Sequence, residues 1–374
     1  MKILHTGDIH LDSPFSTRTV ESGEAAKREL RGVFANIIDY IQREGVDMLL
    51  VSGDLFDSGF ATRETAALIY DGFEKAGCPV VIAPGNHDPY TENSIWKKKE
   101  FSSNVHIFSS DKLSHFDFEE LGVRVYGYAF TEAAMKSCPF AGERAEEKGY
   151  VNILCAHGDT ASPFSVYCPI TTADITAFGA DYTALGHIHS PEAANAVFEE
   201  KNIPALYCGC PQGRDFGECG EKGAVLVEFT NEGGKVKVEK SFVPFAKRVY
   251  EDIELDVTGA ETVNDIISEV RYTVGNYGNN TSLRITLTGN IGQGVTLVCD
   301  DVAERCREGV AFLAIEDKTA PLLSVDELKM DMGIRGEVYR VLAQKIDEGT
   351  PEEKAEAVNA LKYALAALSG ESIG

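Results

Sequence analysis

The sequence predicts an α/β protein, and three features of its 374 residues carry that reading. Short apolar runs that end abruptly in Gly, Asp, Asn or His alternate with amphipathic stretches through the first half, the pattern of strands and helices in a layered sheet. The composition is that of a globular chain with a sizeable core, 44% hydrophobic and 25% charged. No apolar stretch approaches the roughly 18 residues that span a bilayer, so no membrane association is expected.

The elements follow in order. Met1–Leu4 reads as a buried strand, and Ala25–Arg43 as a helix with Leu30, Val33, Phe34, Ile37, Ile38 and Ile41 on one face. Asp47–Val51 is the next strand, Thr62–Ala76 a helix stopped by Gly77, and Pro79–Ala83 a third strand. Val151–Ala156 and Tyr182–Leu185 are further buried strands. Ligands of such sheets collect beyond the strand C-termini, where the polar residues of this chain lie. Ala224–Phe229 and Val236–Val243 flank Asn231-Glu232-Gly233-Gly234 as a hairpin that closes the first domain. From about Arg248 a smaller β-α-β-α-β unit is expected: Val249–Val257, Glu261–Val274, Ser282–Thr288, Thr296–Arg307 and Ala311–Glu316, with Gly275–Asn280 as its most loop-like segment. The tail is helical, opened by the capping box Thr350-Pro351-Glu352-Glu353. Val358, Leu361, Leu365 and Leu368 form a narrow apolar stripe on it, read either as packing on its own domain or as a docking face for a coiled coil. The domain boundaries expected are 1–245, 246–320 and 321–374.

The formal charge is −24, from 59 acidic and 35 basic residues. Nucleic-acid binders are usually basic, so this balance argues against strong, metal-free DNA binding. It leaves open a site where metal cations supply the positive charge. The nine cysteines are odd in number and lack any Cys-x-x-Cys pair, and Cys208 and Cys210 match no zinc spacing. They read as reduced thiols. A carboxylate, Asp8, arrives too early for a signal-peptide apolar region, so the expected location is the cytoplasm.

Five strand ends carry Asp8-Ile9-His10, Gly53-Asp54, Gly85-Asn86-His87-Asp88, Ala156-His157-Gly158 and Gly186-His187-Ile188-His189. Five of the eight histidines lie in these motifs. Each motif alone is weak evidence; together, in order and each after an apolar run, they point to a two-metal site. Asp54 can bridge two cations about 3.5–4 Å apart. Asp8, His10 and His189 would complete one shell, and Asn86, His157 and His187 the other. Nitrogen and oxygen donors without thiolate suit Mn²⁺, Fe²⁺ or Zn²⁺. Two such cations clamp a phosphate and activate water. His87, beside the ligand Asn86, is then the candidate general acid or phosphate stabiliser, with Asp88 either orienting it or capping backbone amides.

These ordered motifs resemble the calcineurin-like metallophosphoesterase superfamily over roughly Met1–Val243. The details are similar to its DNA-repair exonuclease branch, the SbcD-type nucleases and the YhaO-like group. The supporting residues run from His5 through Thr6-Gly7-Asp8-Ile9-His10-Leu11-Asp12-Ser13-Pro14 to Phe15, then Gly53-Asp54-Leu55-Phe56-Asp57 and Leu185-Gly186-His187-Ile188-His189-Ser190-Pro191. Tyr207–Arg214 and Gly217–Gly223 add to them. The resemblance implies a two-sheet core with helices outside, a small α/β capping domain that helps hold DNA, and C-terminal helices that bind an SbcC-type coiled-coil ATPase. It implies a manganese-dependent nuclease with metal ligands Asp8, His10, Asp54, Asn86, His157, His187 and His189 and catalytic His87, and a homodimer is common in the family. Asp12 departs from many SbcD-type sequences, which carry Gly there; the YhaO-like group shares Leu-Asp-Ser-Pro-Phe.

For substrate contacts the sequence offers Lys97, Lys98 and Lys99 after Trp96, an aromatic able to stack on a base, and Arg214 in a glycine-rich loop. The bland readings are a solvated helix face with Trp96 in the core, and an ion pair for Arg214. A DNA nuclease is the first functional reading. A phosphatase or phosphodiesterase for small molecules is the second, and a catalytically silent binding module the third.

Overall fold

The apolar runs of the first half assemble into two sheets stacked face to face, the core that the resemblance implies. The structure, a computed structural model, describes residues 1–16, 18–146, 149–232, 235–292, 295–321 and 325–368. The chain divides into two compact units, the first comprising 1–252 with 279–283 and the second 253–278 with 284–374.

In the first unit the elements run β1 (Lys2–Thr6), α1 (Val20–Glu44), β2 (Met48–Val51), α2 (Arg63–Ala76), β3 (Val80–Ile82), α3 (Ile95–Lys98), β4 (Val105–Ile107), β5 (Ser114–Phe118) and β6 (Val123–Gly127). They continue with β7 (Val151–His157), α4 (Thr172–Phe178), β8 (Tyr182–Gly186), α5 (Glu192–Glu200), β9 (Ala205–Tyr207), β10 (Gly223–Glu232) and β11 (Lys235–Pro244). One sheet has the order β11-β10-β1-β2-β3-β4 and the other β5-β6-β7-β8-β9. β1 to β4 run parallel, with β10 antiparallel to β1; β6 to β9 run parallel, with β5 antiparallel.

Alternation along the strands decides the layers. Ile3, Leu50, Val81 and Val225 on one sheet meet Val125, Ile153, Tyr182 and Ala184 on the other in a shared inner core. The alternate residues Leu4, Leu49, Val51 and Val80 face outward and pack under the Leu30, Phe34, Ile37 and Ile41 stripe of α1. Behind the second sheet, Leu154 and Leu185 pack with Ile175 and Phe178 of α4 and Phe198 of α5. Helix, sheet, sheet, helix is the result, each sheet helical on one face only. The expected hairpin is β10 with β11; Gly233 and Gly234 of its turn lie outside the described residues. β4, β5, β6 and β9 were not legible as apolar runs, because β4 has only three residues and β5 alternates with exposed polar positions.

After β11 the chain forms β12 (Val249–Asp256), α6 (Val263–Val274), β13 (Thr281–Thr288), β14 (Asn290–Ile291), α7 (Cys299–Cys306), β15 (Phe312–Asp317) and β16 (Ala320–Pro321), with parts of β12 and β13 assigned to each unit. β12, β13 and β15 form a sheet in that order. α7 is shorter than the expected Thr296–Arg307 because Val298, its N-cap, is extended and offers no side-chain acceptor. α8 (Val325–Met330), α9 (Ile334–Glu348) and α10 (Pro351–Leu368) end the chain. In the α10 stripe, Leu361 and Leu365 are buried with Leu328 and Tyr339, whereas Val358 and Leu368 stay 48% and 43% exposed. Among the described residues, no helix is long and apolar enough to cross a membrane.

Candidate metal centre

The motifs occupy the turns that leave β1, β2, β7 and β8 and the loop after β3. Four of their residues take left-handed backbone angles that L side chains rarely adopt: Asp8 and His10 at φ 50°, Asp54 at 50° and His187 at 109°. Each such turn costs about 1–3 kcal/mol and survives only where its surroundings hold it. Here the exits of β1 and β2 run side by side: the Asp8 amide donates to the Gly53 carbonyl at 3.0 Å, and the His10 amide to that of Asp54 at 3.0 Å. Two glycines permit the close approach. A Cβ on Gly53 would stand 2.4 Å from His157 Nδ1, and one on Gly85 2.3 Å from Asp54 Oδ1.

The side chains converge. His10 Nε2 faces His189 Nε2 at 3.1 Å, and His189 Nε2 lies 3.7 Å from Asp8 Oδ1. Asp54 Oδ2 stands 3.8 Å from His10 Nε2 and 3.3 Å from His157 Nε2, between the two groups. Asn86 Oδ1 lies 3.0 Å from His157 Nε2, and the His157 and His187 rings are 5.1 Å apart. The sets Asp8–His10–His189, His10–Asp54–His87 and Asp54–His157–His187 each bring donor atoms within 4.8 Å of one another, close enough to hold an ion. All seven residues read as ligands from the sequence therefore meet in one place, Asp54 between its neighbours.

A second layer of partners fixes the imidazoles, and the motifs did not disclose it. Asp57 Oδ1 accepts from His10 Nδ1 at 2.8 Å and lies 3.0 Å from His87 Nδ1. Glu218 Oε1 accepts from His189 Nδ1 at 2.7 Å, and the Ser52 carbonyl from His157 Nδ1 at 2.9 Å. Each leaves Nε2 turned toward the centre, the arrangement that fixes tautomer and ring direction in metal-ligating histidines. Asp57 and Glu218 stand in quoted motifs, yet their partners are far along the chain and no local spacing signals them.

The electrostatics are those of a cation trap. Burial disfavours charge on Asp54, but His157 and His10 outweigh it and hold its carboxyl well below the usual range. Burial likewise opposes a charged His157, yet Asp54 lifts that imidazole to about 9. His187, buried and next to His157, falls to about 4. The Asp57 hydrogen bond raises His87, whose side chain is 48% exposed and whose ring lies 4.7 Å from that of His10. Buried carboxylates that draw protons onto neighbouring imidazoles offer the same places to divalent cations, and an oxygen and nitrogen donor set without sulfur fits them.

Other expected residues sit elsewhere. Asp88 does not orient His87: its carboxylate accepts from the amides of Gly85 at 2.6 Å, Leu55 at 2.8 Å and Asp54 at 3.2 Å, and Asp57 holds His87 instead. Burial and then the Asp54 charge push Asp88 up to about 7. Trp96 is not available to a base: it is buried beside Phe56 and gives its Nε1 hydrogen to the Asp88 carbonyl at 2.6 Å. Lys97 pairs with Glu92 at 2.5 Å, Lys99 lies over the Tyr70 ring, and Lys98 is exposed on the short α3. Arg214 is bound to Glu218 at 2.6 Å with Nη2 2.9 Å from His189 Nδ1, at the edge of the centre. Asp12 ties the first motif to α2, accepting from Arg31 at 2.7 Å and from the Thr62 amide at 2.8 Å. A groove of about 400 Å³ opens over Asn86 and His87, walled by Pro14, Phe60 and Tyr167. The Tyr167 ring leans on His187 at 5.2 Å.

Comparison with known proteins agrees with this geometry. The profile of the calcineurin-like phosphoesterase family matches residues 1–191. The chain is 30% identical over 303 residues to the uncharacterized metallophosphoesterase YhaO of Bacillus subtilis (strain 168), covering 77% of this chain and 72% of that protein. It is 24% identical over 325 residues to the SbcD subunit of the SbcCD nuclease of Staphylococcus epidermidis, covering 78% and 80% of the two chains. Against the SbcD subunit of the Escherichia coli (strain K12) nuclease the identity is 26% over 295 residues, 65% and 68% of the two. The resemblance read from the motifs is borne out.

Proposed function

This chain belongs to the calcineurin-like phosphoesterase family, a metal-dependent hydrolase of ester bonds, and from that premise we propose that it is a DNA exonuclease of the SbcD/YhaO type acting in repair. The observation that carries the proposal is the meeting of Asp8, His10 and His189 with His157 and His187 around Asp54, beneath a groove with His87 on its floor. Two divalent cations, Mn²⁺ first by resemblance, would neutralise phosphate charge and activate water there.

The chain's own residues do the rest. Asp8, His10 and His189 would hold one ion, Asn86, His157 and His187 the other, and Asp54 both. His87 reaches into the groove with Asp57 behind its Nδ1, so Nε2 is free to give a proton to the departing oxygen or to hold a phosphate oxygen. Tyr167 offers a ring face beside His187 on which a terminal base stacks. Arg214, paired with Glu218 beside His189 at the edge of the centre, is the residue proposed to meet a phosphate oxygen. Asp88, reassigned by its contacts, stiffens the loop bearing Asn86 and His87.

Both nuclease relatives are named as subunits, and an SbcC-type coiled-coil ATPase is the partner proposed here, docking on α9 and α10. The small α/β domain, 246–320, is proposed to cap the DNA, and the cytoplasm is the proposed location. The net charge of −24 favours a second reading, a phosphodiesterase for small molecules, since an acidic surface repels a long polyanion and tolerates a short one.

Hydrolysis of labelled single- and double-stranded DNA with Mn²⁺ at low salt, beside a small phosphodiester, separates the two. DNA cleavage that disappears in His187→Ala is expected. Ester hydrolysis with DNA untouched would move the assignment to the small-molecule reading, and no hydrolysis of either would leave the silent module.

A further inference from the structure

Beside His189 the first unit holds a second cavity of about 260 Å³. It opens where β9, the edge of one sheet, faces β10 and β11 of the other, and among the described residues no strand closes the gap. Its floor includes Lys222, a lysine only 4% exposed. An ammonium has three hydrogens to give. Among the described residues the Lys222 Nζ makes one hydrogen bond, a long one of 3.4 Å to the His189 carbonyl, and no ion pair. A buried cation in that state calls for an anion.

The walls fit one. Lys240 stands across the mouth, exposed and without an ion pair among the described residues. The nine-residue α5 contributes its N-terminus, with Pro191 at the N-cap and no side chain capping it, so its positive end borders the same space. The wall is pre-formed: Asn195 of α5 donates to the Tyr207 carbonyl at 3.0 Å and accepts from the Tyr207 amide at 2.9 Å. Phe242, 49% exposed, presents a ring at the rim, and most of the remaining lining is apolar. Glu192 and Glu221 lie at the solvent edge, so their charge is screened by water while that of Lys222 is not. They make the mouth hostile to a nucleic-acid backbone and leave the interior open to a single small anion.

We infer that this cavity is a binding site for a small organic anion, a phosphate or carboxylate head on Lys222 with a flat apolar body against Phe242. The site touches the metal centre only through His189 and does not depend on which ester the chain hydrolyses.

Isothermal titration of the full chain in EDTA tests it without reference to catalysis, using adenosine 5′-monophosphate, benzoate and inorganic phosphate as probes. At least one of the two organic anions is expected to bind several-fold tighter than inorganic phosphate. Lys222→Met is expected to weaken that binding about tenfold or more, and Lys240→Ser and Phe242→Ala about threefold each. Failure of all three probes overturns the site, as does binding untouched by the variants. Inorganic phosphate binding as tightly as the organic anions overturns the organic ligand. Should Lys222→Met fail to fold, Lys240→Ser, at an exposed position, and Phe242→Ala, at the rim, decide alone.

Discussion

Asp57 is the residue through which the two chemistries of the pocket meet, because one oxygen serves both His10 and His87. Asp57→Asn is therefore expected to weaken metal binding about 10- to 100-fold and to lower turnover as well, measured by Mn²⁺ titration and hydrolysis side by side. His87→Ala is expected to separate the two, keeping the metal content and losing about 10²–10⁴ in rate, which elemental analysis beside the same assay checks. The converging residues were readable because a strand end followed by Asp, Asn or His is a local signal. Asp57, Glu218 and the true place of Asp88 were not, since their meaning lies in partners brought by the fold. Another buried group gives a pH prediction. His5, locked between Tyr182 at 2.8 Å and Ser52 at 3.0 Å, is pulled down to about 3 by burial. Its folded value lies below the ordinary one, so the unfolded chain takes the proton first and stability falls as the pH drops below about 6.5. Between pH 7 and pH 5 this site should cost about 2 kcal/mol. Chemical denaturation of the native chain and His5→Gln at both values should show that increment in the native chain alone.

At the scale of elements, the helices with strong stripes and caps were legible in advance. α2 begins with Thr62 accepting from the Thr65 amide, and α1 buries the very face its periodicity marked. α8 and α9 were expected only as part of a helical region, 321–374, and not placed one by one, because the apolar residues of α9 serve two purposes. Tyr339 is buried, while Ile334 and Val341 stay 66% and 73% exposed, which blurs any single stripe. The α10 stripe divides in the same way, Leu361 inward and Val358 outward. Leu361→Ala is expected to destabilise this helical pair by about 2–5 kcal/mol, seen as faster proteolysis after residue 321 with DNA or ester hydrolysis unchanged. Val341→Glu should leave proteolysis unchanged and abolish capture of the proposed ATPase partner; capture that survives would confine these helices to packing on their own unit.

The first unit as a whole is held by its chemistry as well as by its core. Asp8, His10, Asp54 and Asn86 come from one sheet, and His157, His187 and His189 from the other, so cations held among them would tie the sheets together. Chelation should lower the unfolding temperature of the full chain, and Mn²⁺ at about 100 times its Kd should return about 2.7 kcal/mol, followed by calorimetry. The two-sheet arrangement was beyond periodicity, which sees strands and not their neighbours; only pairing over long distances builds it. The pairing of β1 with β10 is the extreme case, with the amino group of Met1 on the carbonyl of Phe229, 228 residues away. On the ribosome, where chains lengthen at roughly 5–20 residues per second, the first strand emerges some 10–45 s before its outer neighbour exists. For that interval one edge of the nascent sheet is bare, and the newborn chain depends on chaperones or on swift synthesis to keep other strands from claiming it.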